Sequence, residues 1–275
     1  MATRILTAVI GIAIAVIIMI FSHTIVINIA VAALTAMMIY EILNANKCTD
    51  SKFSFVVCIL FGATLPFFRL DVLNPYITHF FVLFALLMLM SYLVHFDKLN
   101  IEKLCYMLAT TLLISASMYC ILSIRGIEGH GLYYVCLTLA APWVSDAGAY
   151  FVGVSIGKHK LCPSISPKKT IEGAVGGVVI NTIVFILACV GYKMFMETRG
   201  EIITINYILA AVIGVSTALL AIIGDLVASL IKRQTNIKDF GKIMPGHGGA
   251  LDRFDSVLFV APVMLLILRS IQIFN

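Results

Sequence analysis

The chain has 275 residues, 61% of them hydrophobic and only 12% charged, with a formal net charge of +5 and a mean hydropathy of +1.06. Soluble domains carry about a quarter charged residues, so a water-soluble globule is excluded. Seven cysteines lie scattered, mostly in apolar runs, with no CxxC pair or zinc spacing, so they read as small apolar packing residues and imply no disulfide framework or zinc site.

Apolar runs long enough to cross about 30 Å of hydrocarbon recur from end to end. About nine spans are expected by hydropathy: Ile5–Phe21, Ile25–Leu43, Phe53–Phe68, Tyr76–Val94, Leu104–Ile124, Leu132–Gly153, Gly173–Phe195, Tyr207–Ile231 and Ser256–Phe274. The first run is long for a signal core and lacks a small-x-small site before Ser22, so it is expected to be retained. The third is short and interrupted by Pro66. The predicted class is an all-α polytopic integral membrane protein with one membrane-embedded domain over residues 1–275.

Most connections are short; two, Val154–Glu172 and Lys232–Asp255, are long and rich in Gly, Pro, Lys and Asp. With the N-terminus in the cytosol, fourteen of the nineteen Lys and Arg residues fall on the cytosolic side, and the reverse orientation inverts the ratio. The N-terminus and both long connections are therefore expected in the cytosol.

Two acids sit inside apolar runs: Asp146 in Leu132–Gly153 and Asp225 in Tyr207–Ile231. A carboxylate near the bilayer centre costs roughly 3 kcal/mol on insertion scales, so it normally faces a polar interior with a functional purpose. Ser229 and Lys232 follow Asp225 at i+4 and i+7, on the same helix face. Beyond them come Arg233, Lys238-Asp239, Pro245-Gly246-His247-Gly248-Gly249 and Asp252-Arg253-Phe254-Asp255-Ser256.

These residue types suit polyphosphate and a hard cation. Converging carboxylates suit Mg²⁺, which takes oxygen ligands and shares them with substrate phosphates. Glycines admit backbone N–H groups to an anion, and Lys and Arg offset charge on a transferring phosphoryl group. Upstream, Ser166-Pro-Lys168-Lys169-Thr170-x-Glu172 places cations and hydroxyls before a predicted helix N-terminus, a favourable place for phosphate. Gly153-x-x-x-Gly157-Lys158 lacks Walker A spacing. Gly173-x-x-x-Gly177 reads as close helix packing.

The stretch from Ser229-Leu-Ile-Lys232-Arg233 through Lys238-Asp239 to Pro245-Gly246-His247-Gly248-Gly249-Ala-Leu-Asp252-Arg253-Phe254-Asp255 resembles the signature of the phosphatidate cytidylyltransferase family, the CDP-diacylglycerol synthases. Gly224-Asp225-Leu and the Ser166–Glu172 block match as well, with no departure at a charged motif position. The likeness occupies residues 143–256; before Trp143 only hydropathy and Tyr40-Glu41 at a span end agree.

The resemblance implies that CTP and phosphatidate give CDP-diacylglycerol and pyrophosphate. The nucleophile is then an already ionised lipid phosphate, so no Ser-His-Asp triad is required, and none is apparent. Metal-ligand expectations fall on Asp225 and Asp252, with Asp255 as a ligand or close supporter, for Mg²⁺ with a second cation as a further option. Lys168, Lys169, Lys232, Arg233, Lys238 and Arg253 are expected at phosphates, with Ser166, Thr170, Ser229, Gly248 and Gly249 completing the phosphate-binding set. His247 is expected at a phosphate rather than as a proton donor. The implied partners are CTP, phosphatidate and the lipid bilayer; homodimer formation stays open and no nucleic acid is expected. Three rivals also stay open: a cytidylyltransferase for another lipid phosphate, a lipid kinase, and an ion-coupled transporter using Asp146 and Asp225.

Overall fold

The computed structural model describes residues 11, 13–241 and 248–274. It is 75% helical. The helices are α1 (residues 13–20), α2 (Val26–Ala45), α3 (Lys52–Thr64), α4 (Ile77–Val94), α5 (Ile101–Arg125), α6 (Gly131–Ile156), α7 (Ile171–Thr198), α8 (Tyr207–Gln234), α9 (Leu251–Phe254) and α10 (Val257–Ser270). Short 3-10 turns extend α3 through Leu65–Arg69 and lead into α4 at Asn74–Tyr76. Among the described residues, seven helices are long and apolar enough to cross a membrane. The protein is an integral membrane protein.

The start of the predicted first span, Ile5–Phe21, lies outside the described residues, and its remainder forms α1. The last predicted span shrinks to the 14 residues of α10, about 21 Å of helix at 1.5 Å per residue. The weak third span continues through its Pro66 interruption, because proline at the start of a 3-10 turn gives up an N–H that has no partner there anyway.

The connection expected over Val154–Glu172 is not plain loop. α6 continues to Ile156, and strands β1 (Lys160–Cys162) and β2 (Ser166–Thr170) pair antiparallel, Lys160 opposite Thr170 and Cys162 opposite Ser166. Strands of three and five residues, one containing Pro167, carry too little alternation to be predicted. Proline is tolerated because a two-stranded sheet has only edge strands.

The chain divides into two compact units. The first comprises Met1–Ser123 and Gln234–Phe254. There Phe61 stacks on Phe80 and Phe84. Ser54 and Ser91 share a 2.6 Å hydrogen bond between α3 and α4, and buried Asn28 donates to the Pro66 carbonyl at 2.8 Å.

The second unit comprises Ile124–Arg233 and Asp255–Asn275. Its central feature is the close pairing of α6 and α7. A methyl group at Gly173 would lie 2.7 Å from the Ala149 carbonyl oxygen, and one at Gly177 equally close to that of Ser145. The Gly173-x-x-x-Gly177 spacing is thus a packing device, as expected. Asn181 of α7 donates to the Gly214 carbonyl of α8 at 2.7 Å. Phe274 stacks on Tyr134 beside Tyr192 and His130.

Candidate active site

In the second unit α6, α7, α8 and the hairpin enclose a cavity of about 500 Å³. Asp146 from α6, Asp225 from α8, and Lys160, Lys168 and Lys169 from the hairpin line it, with Tyr150, Val154, Ala174 and Ile222 as apolar wall. Sequence reasoning singled out Asp146, Asp225, Lys168 and Lys169 in separate segments and gave Lys160 no role; the structure lines one cavity with them all, and Lys169 and Asp225 form an ion pair, each side chain about one quarter exposed (26%).

Local geometry explains how the hairpin is held. Thr170 caps α7: its hydroxyl accepts from the Gly173 N–H at 3.1 Å, and it is buried. The cap uses only an acceptor lone pair of the hydroxyl that was expected at phosphate, and Thr170 itself lines the cavity. Glu172 accepts from the Lys158 and His159 amides and meets His159 Nδ1 at 2.6 Å, closing the start of the hairpin onto the first turn of α7. His159 had no role on sequence grounds. Arg233 Nε donates to the Ile165 carbonyl at 3.3 Å, so this expected phosphate contact also ties the end of α8 to the hairpin turn. Ser166 opens β2.

α8 runs unbroken through Asp225, Ser229 and Lys232, so the predicted common face exists. Asp255 is buried, and its Oδ1 accepts from the Ser256 amide at 2.7 Å. Burial, reinforced by the negative charge of Asp225, pushes the Asp255 carboxyl up to about 6, against the pull of Lys232. Asp225 and Asp255 are therefore close enough to feel one another. Among the described residues no three His, Cys, Asp or Glu side chains gather into a metal-binding group. Mg²⁺ does not need one: it is commonly held by one or two carboxylates together with waters and substrate phosphates, and a pair of mutually repelling carboxylates fits that pattern.

The rest of the signature belongs to the first unit. Asp252 Oδ2 accepts from the Phe240 amide at 2.9 Å and the Gly249 amide at 3.0 Å. Gly248 has φ +86°, a conformation that favours glycine, and the Asp252 carboxylate lies beside it. The Gly249 N–H is thus directed to Asp252. Lys238 and Arg253 are exposed. His247 lies outside the described residues.

One residue of this loop system was missed. Glu41 of α2 is buried and accepts from the amides of Ala250 (3.0 Å) and Leu251 (2.8 Å). The test that singled out Asp146 and Asp225, an acid within an apolar span, would have found it too.

Comparison with known proteins agrees with these features. The cytidylyltransferase family model matches residues 2–271. The chain belongs to the cytidylyltransferase family. It is similar to the phosphatidate cytidylyltransferase of Bacillus subtilis (strain 168), 38% identical over 187 residues, which are 68% of this chain and 66% of the relative. It is also similar to the phosphatidate cytidylyltransferases of Staphylococcus saprophyticus (40% identical over 144 residues, 52% of each chain) and Staphylococcus aureus strain COL (42% over 141 residues, 51% of each). The matched stretches span about half to two thirds of the length of these curated relatives. For a cytidylyltransferase, a cavity that joins lysines and carboxylates to an apolar wall is a fitting place to meet polyphosphate.

Proposed function

We propose that this protein transfers a cytidylyl group from CTP to phosphatidate, giving CDP-diacylglycerol and pyrophosphate. The observation that carries this reading is the cavity in which Lys160, Lys168 and Lys169 share walls with Asp146, Asp225 and apolar side chains. It offers cations for phosphate beside a surface compatible with lipid, and membership of the cytidylyltransferase family supports it.

In the proposed reaction a phosphate oxygen of phosphatidate attacks the α-phosphorus of CTP. The bond from that phosphorus to the bridging oxygen breaks, and its electron pair leaves with pyrophosphate. The nucleophile is already ionised, so the residues' main task is to bring two polyanions together and align them. Lys168 and Lys169 offset phosphate charge from the hairpin. Arg233 does the same from the end of α8 while anchoring the hairpin through Ile165. Lys232 adds a further cation on the Asp225 face, and Lys238 and Arg253 are proposed as phosphate contacts on the strength of the resemblance alone. Mg²⁺ held by Asp225 and Asp255 would neutralise nucleotide phosphate charge and favour pyrophosphate as a leaving group. Asp252 keeps its place in the metal proposal through the charge that its engagement with two amides does not remove.

We further propose that the N-terminus, the hairpin and the signature loop face the cytosol of a bacterial inner membrane, where CTP is available. The support is the distribution of Lys and Arg. A cysteine placed at Lys160 and labelled only from outside the cell would overturn this orientation.

The deciding experiment incubates purified protein in detergent with labelled CTP, phosphatidate and Mg²⁺, with each omitted in turn. CDP-diacylglycerol and pyrophosphate are expected only from the complete mixture. Release of a nucleoside diphosphate instead would assign the protein to lipid phosphorylation.

A further inference from the structure

We propose that Glu41 is a positioning residue for the signature loop, holding from the N-terminal half of the chain the turn that presents Asp252 and Arg253. The inference rests on the reading that this loop serves cytidylyl transfer. All the contacts that carry it lie within the first unit.

Glu41 is 1% exposed and is aimed at backbone, with Oε1 at the Ala250 amide and Oε2 at the Leu251 amide. The Ala250 amide lies just before α9 and the Leu251 amide opens it, and Gly248-Gly249-Ala250 provide no side chain able to cap them. A helix start left uncapped and buried is unfavourable. Glu41 supplies the missing acceptors from 209 and 210 residues away, and charge-assisted hydrogen bonds of this kind are the strong ones.

The fit is tight on the loop side as well. A methyl group at Gly241 or at Gly249 would overlap the Glu41 carboxylate. Asp252 completes the arrangement by accepting from the Phe240 and Gly249 amides. Two carboxylates therefore receive four backbone N–H groups, from residues 240, 249, 250 and 251. The C-terminal flank of the loop is fixed to α2 through Glu41, and the two flanks are fixed to each other through Asp252.

Asp252 and Arg253 follow directly on the turn that Glu41 holds. A shift of that turn moves both, and misplacement by about 1 Å can cost about a hundredfold in rate even when no reacting group is altered. Glu41 thus acts through the loop rather than on substrate.

The test uses the full-length protein in detergent and the variant Glu41→Gln, which keeps side-chain size but offers one amide an NH₂ group where it needs an acceptor. Three results are expected together. Hydrogen exchange at Ala250 and Leu251 accelerates; kcat falls about a hundredfold; and kcat stays low on cooling well below the variant's melting temperature. Fast exchange with wild-type kcat, or kcat restored by cooling, overturns the proposal by leaving Glu41 a structural role alone. Gly241→Ala provides a second arm. It should lower kcat and raise loop exchange when Glu41 is present, and add little in a Glu41→Ala background, where the methyl group has room. Additive effects would overturn the direct contact. Wild-type protein that makes no product overturns the cytidylyl-transfer reading instead, and the two failures are separable because exchange needs no turnover.

Discussion

The cavity of the second unit and the signature loop of the first use the same residue types for different ends. In the cavity, Lys160, Lys168 and Asp146 present charged groups to open space, and the Lys169–Asp225 pair sits on its wall. In the loop, Glu41 and Asp252 turn their carboxylates onto backbone amides. A charge facing space is arranged for something that arrives; a charge facing amides maintains a shape. Substitution in the cavity should therefore change kinetics and leave stability intact, whereas substitution in the loop should change local order first and kinetics through it.

The largest effect is expected from Asp225→Asn. Turnover should fall by roughly 10²–10³-fold, the scale seen when a charge-stabilising group is removed from a reacting centre. Melting temperature in detergent should change little, since loss of the Lys169 ion pair and relief of the repulsion between Asp225 and Asp255 act in opposite directions. CDP-diacylglycerol formation per monodisperse protein measures this; near-normal turnover would make Asp225 a structural acid.

Asp252→Asn probes the other side of the comparison. Hydrogen bonds to charged groups contribute about 1.5–3 kcal/mol, so exchange at the Phe240 and Gly249 amides should accelerate by about tenfold or more. Turnover should drop alongside it. Lost turnover with unchanged exchange would assign Asp252 to ligand binding and remove the contrast between loop and cavity.

Gly177→Ala should destabilise the second unit by about 1–3 kcal/mol, the usual cost of overpacking, because its methyl group would press on the Ser145 carbonyl. Gly191 on the same helix has nothing within 4 Å of an added methyl group, so Gly191→Ala should be tolerated. Thermal unfolding of the two variants measures the difference, and equal melting temperatures would show that α6 and α7 can separate at no cost.

Lys168→Ala and Lys169→Ala should each raise the apparent KM for one substrate by about tenfold, as for loss of one charge-assisted phosphate contact, with membrane insertion unaffected. Full kinetics toward both substrates would separate the two lysines. Unchanged values would return both to attraction of anionic lipid heads.

The spans were legible because continuous hydropathy depends on neighbours in sequence alone, and α2 to α8 lie close to where it put them. The face shared by Asp225, Ser229 and Lys232 was legible for the same reason, since helical spacing is local. The hairpin was not: Lys160–Cys162 and Ser166–Thr170 are short, polar and interrupted by Pro167, so pairing rather than pattern makes them strands. Glu41 was visible at a span end, but its task was not, because its partners lie more than two hundred residues away. Gly249 was expected at phosphate, yet whether an amide faces ligand or protein is decided by tertiary neighbours.

The closeness of α6 and α7 also makes the cavity wall uneven in stiffness. Where Gly173 and Gly177 bring backbone against backbone, few rotatable side chains intervene, so that wall has little motional freedom to surrender when a ligand enters. The hairpin opposite carries lysines, whose long side chains each forfeit up to about 2 kcal/mol of rotamer entropy when immobilised. The entropic penalty of filling this cavity should accordingly concentrate on Lys160, Lys168 and Lys169, making one half of the site a rigid template and the other an adaptable grip.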